Sequence, residues 1–205
     1  MKLEIPFYLQ TTKLNCGPVA LKMVLEYLGE KYSIEQLEQE TGIKEGKALS
    51  TLMLAIAARK LGFRAEFFSK ILGVNPENLK MDFYKNYGNL QEEASQQNFE
   101  IARKLGAELH ETTLTLKQII SHIQKDRAII ILLNWNVIKG ERTPNEQDWV
   151  REEEGYHGHF VPVVGYDKEN IYVHNHGFLN PQAFLAIKKD VFEKAKKYKG
   201  TDEDV

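Results

Sequence analysis

Residues 9–28 read LQTTKLNCGPVALKMVLEYL and combine a polar segment before Cys16 with an apolar helical pattern after it. The second half of this stretch places apolar side chains on one helix face, at Ala20, Met23, Val24, Tyr27 and Leu28. Gly17 and Pro18 fall in the first turn, where proline is tolerated because its missing N–H has no helical partner. The pattern predicts a helix that begins at Cys16, with Gly29 at its C-terminal cap.

Cys16 is the one cysteine in 205 residues, so an intrachain disulfide and a cysteine-rich zinc site are both excluded. Its thiol is either a small buried apolar group, the commonest fate of a lone cysteine, or a working nucleophile. The predicted helix N-terminus would lower the thiol pKa, because its positive end stabilises the thiolate.

Gln10 lies six residues before Cys16. Its amide, together with the Cys16 backbone N–H, could donate hydrogen bonds to a developing oxyanion. A solvated loop position is the alternative interpretation, and the spacing alone does not separate the two.

A nucleophilic cysteine needs a base, usually a histidine that a third group orients. The segments 159–166 and 171–175 are two strand patterns joined by a hairpin-turn signal at 167–170. His159 opens the first strand and Asn175 closes the second. Pairing through the turn is therefore predicted to bring Asn175 level with His159, where its amide oxygen accepts the Nδ1–H of the imidazole.

Four segments together resemble the C39-like peptidase family of the papain-like superfamily: Gln10–Pro18, Val19–Leu28, Gly158–Asp167 and Tyr172–Asn175. The resemblance implies a papain-like two-lobed cysteine peptidase fold, with Cys16 as nucleophile, His159 as base and Gln10 as the oxyanion-hole side chain. The family often has Asp followed by Pro at the orienting position, where this chain has Asn175 and His176.

Helical patterns dominate the first part of the chain and strand patterns the second, which predicts an α+β fold with an N-terminal helical lobe and a C-terminal antiparallel sheet. Ser33, with Gln36 three residues on, predicts a capping box for a second helix. We expect a single domain over residues 1–205. Its helical part, its sheet part and an insertion or lid are predicted at about 1–127, 128–190 and 69–112.

Two segments are predicted to lack regular structure. The polar run from Lys139 to Gly155 is expected to form a solvated loop, and Gly200–Val205 is expected to fray. Trp135 precedes this loop, and Trp149 lies within it. Trp135 is a candidate substrate contact, although such aromatic side chains more often seal the edge of a core.

The histidines form the pairs His157/His159 and His174/His176. This spacing puts two imidazoles on one face of a strand, which a zinc or iron site could use. That alternative leaves the cysteine and the glutamine unexplained, so we expect neither a metal nor another cofactor. His157 and His176 are instead candidate substrate contacts at the rim of the cleft.

The formal net charge is −2, from 27 basic and 29 acidic residues, so the composition does not predict a nucleic acid partner. No run reaches the roughly 18 apolar residues of a membrane span, and the N-terminus carries Glu4 and Pro6 where a signal peptide needs apolar residues. The sequence therefore predicts a cytoplasmic protein without a membrane partner.

These patterns predict a hydrolase that uses Cys16 to cleave a peptide or a small amide through an acyl-enzyme. Transfer of the acyl group to an amine would make the protein an acyltransferase with the same triad. A third interpretation is a catalytically inactive peptide-binding module, in which the sulfur would lie far from His159.

Overall fold

The structure is a computed structural model that describes residues 1–88, 92–142, 155–178 and 180–205. The helices in these ranges are α1 (Cys16–Tyr27), α2 (Ile34–Thr41), α3 (Thr51–Lys60), α4 (Pro76–Leu79), α5 (Asp82–Tyr87), α6 (Glu92–Lys104), α7 (Leu116–Gln124), α8 (Trp135–Arg142) and α9 (Lys189–Lys196). The strands are β1 (Glu66–Ser69), β2 (Glu108–Glu111), β3 (Ile129–Asn134), β4 (Gly158–Tyr166), β5 (Asn170–Asn175) and β6 (Gln182–Lys188).

Helices lead and an antiparallel sheet follows, so the predicted α+β class is confirmed. Strands β3 to β6 pair in chain order, each antiparallel to its neighbour. Strand β4 is central and almost wholly buried, because α1 packs against it. Strands β1 and β2 form a separate parallel pair in the mainly helical first part of the chain. This small sheet was not predicted.

Helix α1 begins at Cys16, as the glycine–proline pair in its first turn predicts. Gly29 follows its last turn with φ +103°, and its N–H donates to the carbonyl of Glu26. The capping box of α2 is also confirmed, since the Ser33 hydroxyl accepts from the Gln36 N–H at 3.1 Å. Local sequence signals thus determined where both helices begin.

A β-bulge interrupts the β4–β5 pair between Val163 and Gly165. The chain's N-terminus lies against it, where the Leu3 N–H donates to the Val164 carbonyl at 2.8 Å. A Cβ at Gly165, where φ is +156°, would lie only 2.5 Å from the carbonyl oxygen of Met1. Glycine is therefore required where the bulge and the N-terminal segment meet.

The predicted loop from Lys139 is wrong in its first part, because α8 runs to Arg142. Trp135 and Ile138, three residues apart on this helix, are both buried in the main core. Their burial stabilises a helix that the polar composition did not indicate. Trp149 and the rest of the predicted loop to residue 154 lie outside the described residues.

The predicted fraying of the C-terminal tail is also wrong. Val205 exchanges two backbone hydrogen bonds with Phe68 of β1, each 3.0 Å long. The carbonyl of Asp204 accepts from Leu132 of β3 at 3.1 Å. The tail thus lies between the two sheets and satisfies backbone groups of both, which a sequence without strand periodicity does not reveal.

Part of the predicted insertion at 69–112 packs close to the start of β4. The ring of Phe83 on α5 lies 5.1 Å from that of Tyr156 and 6.4 Å from that of His157, centroid to centroid. Its role as a lid, the division into two lobes and the single-domain boundary stay predictions. Among the helices of the described residues, none combines the length and hydropathy that a bilayer crossing requires.

Candidate active site

A small pocket of about 20 Å³ lies where the N-terminus of α1 meets the ends of β4 and β5. Its lining includes the four predicted catalytic residues, Gln10, Cys16, His159 and Asn175. The other lining residues are Lys13, Trp135, Lys139, His157, Gly158, Gly177 and Phe178. The volume is that of roughly one water molecule, so the pocket is small.

Cys16 is held at the start of α1 by the loop before it. The side chain of Asn15 donates to the hydroxyl of Thr11 at 2.8 Å and to the carboxylate of Glu38 at 2.7 Å. Its amide oxygen accepts from the Thr12 N–H at 3.1 Å. Asn15 therefore connects the loop that follows Gln10 to helix α2 and limits how far Cys16 can shift.

The thiol of Cys16 is buried, with 8% of the residue exposed. Burial raises its pKa, and hydrogen bonds from the backbone N–H groups of Phe160, Gly17 and Cys16 itself oppose the rise. The predicted net lowering of the thiol pKa by the helix N-terminus is therefore wrong for this buried side chain, because desolvation of the thiolate outweighs the N–H donors. The sulfur is a neutral thiol surrounded by groups that would stabilise its anion.

His159 is 4% exposed, and its ring is held between neighbours. The Asn175 side chain forms a hydrogen bond with the imidazole. Within the described part of the chain, Nε2 of His159 is buried and has no hydrogen-bond partner. Asn175 is therefore a partner of the imidazole, and Nε2 is the ring nitrogen that makes no hydrogen bond in the described residues.

The sequence predicted that Asn175 would lie level with His159 across the strand pair, and the structure does not place them so. The paired rows of β4 and β5 end at Val163 and Val173. Asn175 lies two residues beyond Val173 on β5, whereas His159 lies four residues before Val163 on β4. The contact between Asn175 and His159 is therefore diagonal. An ideal Cβ placed at Gly177 would lie 3.5 Å from both Asn175 Oδ1 and His159 Nε2, so this glycine borders both groups.

Burial holds the pKa of His159 well below its usual range, and His176 and His157 lower it further, whereas the contact with the Asn175 side chain opposes the shift. The Trp135 ring meets the imidazole edge-on, with the two ring centroids 4.9 Å apart. His159 is thus neutral at neutral pH, which is the protonation state that a general base requires.

Gln10 is 5% exposed, and both its backbone N–H and its side-chain Nε2 donate hydrogen bonds. Its backbone N–H donates to the carbonyl of His176 at 3.0 Å, and Nε2 donates to the carbonyl of Thr12 at 2.9 Å. An amide nitrogen carries two hydrogens, so the second remains for a ligand. Its Oε1 is buried and makes no hydrogen bond within the described residues.

The three predicted substrate contacts have different surroundings. Trp135 and His157 line the pocket, although Trp135 also belongs to the main core. His176 is fully buried, and its ring nitrogens face the carbonyls of Cys16 and His174. A ring in that position does not present itself to a substrate.

Sequence reasoning missed Lys13, Lys139, Gly177 and Phe178, which also line the pocket. Lys13 lies between Gln10 and Cys16, so its position in the chain was a usable signal. The others carried no pattern, because only the folding of α8 and of the segment after β5 brings them to the pocket.

Among the described residues, the group whose ligand atoms lie close enough for a metal ion is Glu66, Glu108 and His110 on β1 and β2, with all its ligand atoms within 4.8 Å of one another. The paired histidines do not form such a group. Glu66 accepts ion pairs from Arg127 at 2.7 Å and from Arg64 at 3.8 Å. Arg64 also pairs with Glu108 at 2.7 Å, so both carboxylates already have cationic partners.

A larger cavity of about 420 Å³ lies between α1, α3 and β1. Its walls are mostly aliphatic and aromatic, and Arg64, Glu66 and Arg127 are among its polar lining residues. A cavity of this size is within the usual range for small ligands. It does not share lining residues with the cysteine pocket.

The cysteine pocket defines the class of site: a thiol, an imidazole and two carboxamides on an α+β fold. The chain belongs to the guanylylate cyclase family, whose family model matches residues 5–205.

Two solved structures are also similar to this chain over most of its length. The peptidase domain of Streptococcus ComA, a bifunctional ABC transporter of a quorum-sensing pathway, is 13% identical and has a TM-score of 0.45, with 94% of this chain and 92% of that chain covered. A Bacillus anthracis protein described as a C39-like peptidase is 15% identical and has a TM-score of 0.48, with 95% and 92% covered. At these identities and scores, no activity follows from either similarity.

Proposed function

We propose that the protein is a cysteine hydrolase with a Cys16–His159–Asn175 triad, acting on a peptide or a small amide. The observation that carries the proposal is the pocket shared by Cys16, His159, Asn175 and Gln10. These residues come from the two ends of the chain, and their chemistry is what acyl transfer to sulfur requires.

The reaction begins from two neutral groups, because burial raises the thiol pKa and lowers the imidazole pKa. Nε2 of His159 accepts the thiol proton as the sulfur attacks the carbonyl carbon, so an S–C bond forms and the carbonyl oxygen becomes an anion. Asn175 holds the ring and its tautomer through Nδ1. The resulting imidazolium then gives the same proton to the leaving amine.

The oxyanion is stabilised by the second Nε2 hydrogen of Gln10 and by the backbone N–H of Cys16. Collapse of the tetrahedral intermediate expels the amine and leaves a thioester on Cys16. A water molecule, deprotonated by His159, hydrolyses the thioester and restores the thiol. An amine in place of water would complete the acyltransferase reaction instead.

The small volume of the pocket has a consequence for substrate binding. A volume of about 20 Å³ holds no acyl group, so residues at its rim must move apart before a substrate binds. Phe178 is half exposed at this rim, and Phe83 of α5 packs on His157. The proposal therefore includes opening of the pocket, with the papain-like two-lobed arrangement and the cytoplasmic location as its further parts.

The test is the rate at which iodoacetamide labels Cys16, followed by intact mass spectrometry. Because the chain has one cysteine, every label reports on this site. We expect His159→Ala to slow labelling at pH 7 by about tenfold or more. The matched control is His122→Ala, a histidine outside the pocket, which should label like the wild type.

Equal labelling of wild type and His159→Ala would refute the activated thiol. Labelling that depends on His159, with no acyl-enzyme formed from p-nitrophenyl acetate or from a peptide mixture, would favour the inactive binding module. An acyl-enzyme that is consumed faster by added amines than by water would favour the acyltransferase.

The second candidate is the reaction in the family's name, cyclisation of GTP with release of pyrophosphate. The family match over residues 5–205 favours it, and so does the cavity of about 420 Å³ beside Glu66. Divalent cations assist phosphoryl transfer. Glu66, Glu108 and His110 do not fit such a cation well, because Arg64 and Arg127 already pair with the carboxylates.

This second candidate is tested by incubating the protein with GTP and Mn²⁺ and separating the nucleotides chromatographically. Formation of cyclic GMP that is lost in Glu66→Gln and retained in Cys16→Ala would establish it. Unchanged GTP with wild-type protein would rule it out under those conditions and leave the cysteine site as the functional one.

A further inference from the structure

His176 connects three parts of the cysteine pocket although it does not line it. Its ring Nε2 lies 2.9 Å from the carbonyl oxygen of Cys16. Its backbone carbonyl accepts the N–H of Gln10 at 3.0 Å. Its ring lies 4.9 Å from the ring of His159, and it follows Asn175 directly in the chain. One buried residue therefore contacts the segments of the nucleophile, the base and the oxyanion donor.

The ring of His176 has a defined protonation state. Both nitrogens face backbone carbonyls, with Nδ1 at 3.3 Å from His174 and Nε2 at the shorter 2.9 Å from Cys16. Burial lowers its pKa to about 4, so the ring carries a single N–H at neutral pH. We assign the N–H to Nε2, because its contact with the Cys16 carbonyl is the shorter of the two.

We propose that His176 is a positioning residue, whose Nε2–H holds the Cys16 carbonyl so that the thiol faces His159 and the oxyanion donors. The inference rests on the proposed hydrolase function and deepens it. The Cys16 carbonyl belongs to the first turn of α1, so a shift there moves the sulfur directly. Displacements of about 1 Å at a reacting group cost about a hundredfold in rate.

His174 provides a matched control. It is fully buried, as His176 is, and its ring also bonds backbone groups, namely the Ile5 carbonyl at 2.9 Å and the Phe184 N–H at 3.1 Å. Within the described residues, the His174 ring makes no hydrogen bond to Cys16. Replacing either histidine by leucine removes a buried polar ring, but only the change at position 176 removes the Cys16 contact.

The experiment measures iodoacetamide labelling of Cys16 between pH 5.5 and 9 in His176→Leu, His176→Gln and His174→Leu, each with and without His159→Ala. Thermal melts give the folded fraction of each variant. Gln can present an N–H near the position of the histidine Nε2, so His176→Gln is the conservative rescue.

We expect the rate ratio between proteins with and without His159 to stay at about tenfold or more in His174→Leu and His176→Gln, and to fall towards one in His176→Leu. A purely structural role would lower the melting temperature of both leucine variants and leave the ratio intact. A ratio that stays high in His176→Leu overturns the positioning role alone. A ratio near one in the otherwise native protein overturns the proposed function, and this inference falls with it.

Discussion

The side chain of Asn175 forms a hydrogen bond with the ring of His159. It does so diagonally, because His159 lies two residues along β4 from the position opposite Asn175. The turn pairs Tyr166 with Ile171, and a regular ladder continued from there would put Asn175 opposite residue 162, on the other face of β4 from His159. The bulge between Val163 and Gly165 adds one residue to β4, and the ladder continued from the Val163–Val173 pair would put Asn175 opposite residue 161. Residues 161 and 159 share a face, so the bulge gives Asn175 access to the imidazole.

Replacement of Gly165 by alanine tests the bulge. The added Cβ would lie 2.5 Å from the Met1 carbonyl, with φ at +156°, so we expect a loss of about 2 kcal/mol or more in the free energy of unfolding. Gly73→Ala is the matched control, because Gly73 has the same φ but no atom within 4 Å of its Cβ position. Urea denaturation measures both. Equal losses would show that the contact with the N-terminal segment contributes nothing.

Asn175→Asp tests the orienting amide. A carboxylate beside the imidazole favours its charged form and raises the pKa of His159, typically by about one to three units. The imidazole then becomes protonated at a higher pH as the solution is acidified. The acid limb of the pH profile for Cys16 acylation by p-nitrophenyl acetate should therefore shift to higher pH. An unchanged acid limb would mean that Asn175 does not contact the ring in solution.

The native protein should acylate well in mild acid. His159 acts in its neutral form, and its pKa lies well below the usual value of 6.5, so protonation removes the base only at pH values well below 6.5. We expect the acylation rate at pH 5.5 to stay within about threefold of that at pH 7. A fall of about tenfold between pH 6.5 and 5.5 would indicate an ordinary histidine or a different base.

Asp204 should make stability depend on pH. Burial raises the pKa of its carboxyl from 3.8 to about 7, and the charge of Asp202 contributes to the rise. Between about pH 4 and 7, this carboxyl is therefore protonated in the folded state and ionised in the unfolded state. The free energy of unfolding falls as pH rises through that window and then levels off.

Asp204→Asn removes this titration while keeping a similar shape. Its melting temperature should exceed that of the native protein at pH 8, with a smaller difference at pH 4.5. Parallel pH profiles for the two proteins would show that this carboxyl is not protonated in the fold.

Much of the local structure could be predicted because its causes are local. The stripe after Cys16 and the Ser33–Gln36 capping box each satisfy their backbone groups within a few residues, so short patterns determine them. The helix at Trp135 was missed because its stability comes from burial against the core, and the polar residues that follow concealed it.

The site was predicted in its members but not in its electrostatics. Gln10, Cys16, His159 and Asn175 were selected from their residue types and spacing, and they line one pocket. Their catalytic roles stay proposals. The thiol pKa was expected to fall and instead rises, because desolvation depends on everything that packs around the sulfur and not on the helix alone.

The sequence by itself determined the α+β class, the start of helix α1 at Cys16 and the candidate residues at the two ends of the chain. These features depend on side-chain periodicity and on backbone groups that are close in the chain. The tertiary structure alone decided the diagonal contact of Asn175 with His159, the burial of His176 against the Cys16 carbonyl and the pairing of the tail with both sheets. Each of these depends on a register or a packing contact between distant segments, which short-range patterns do not encode.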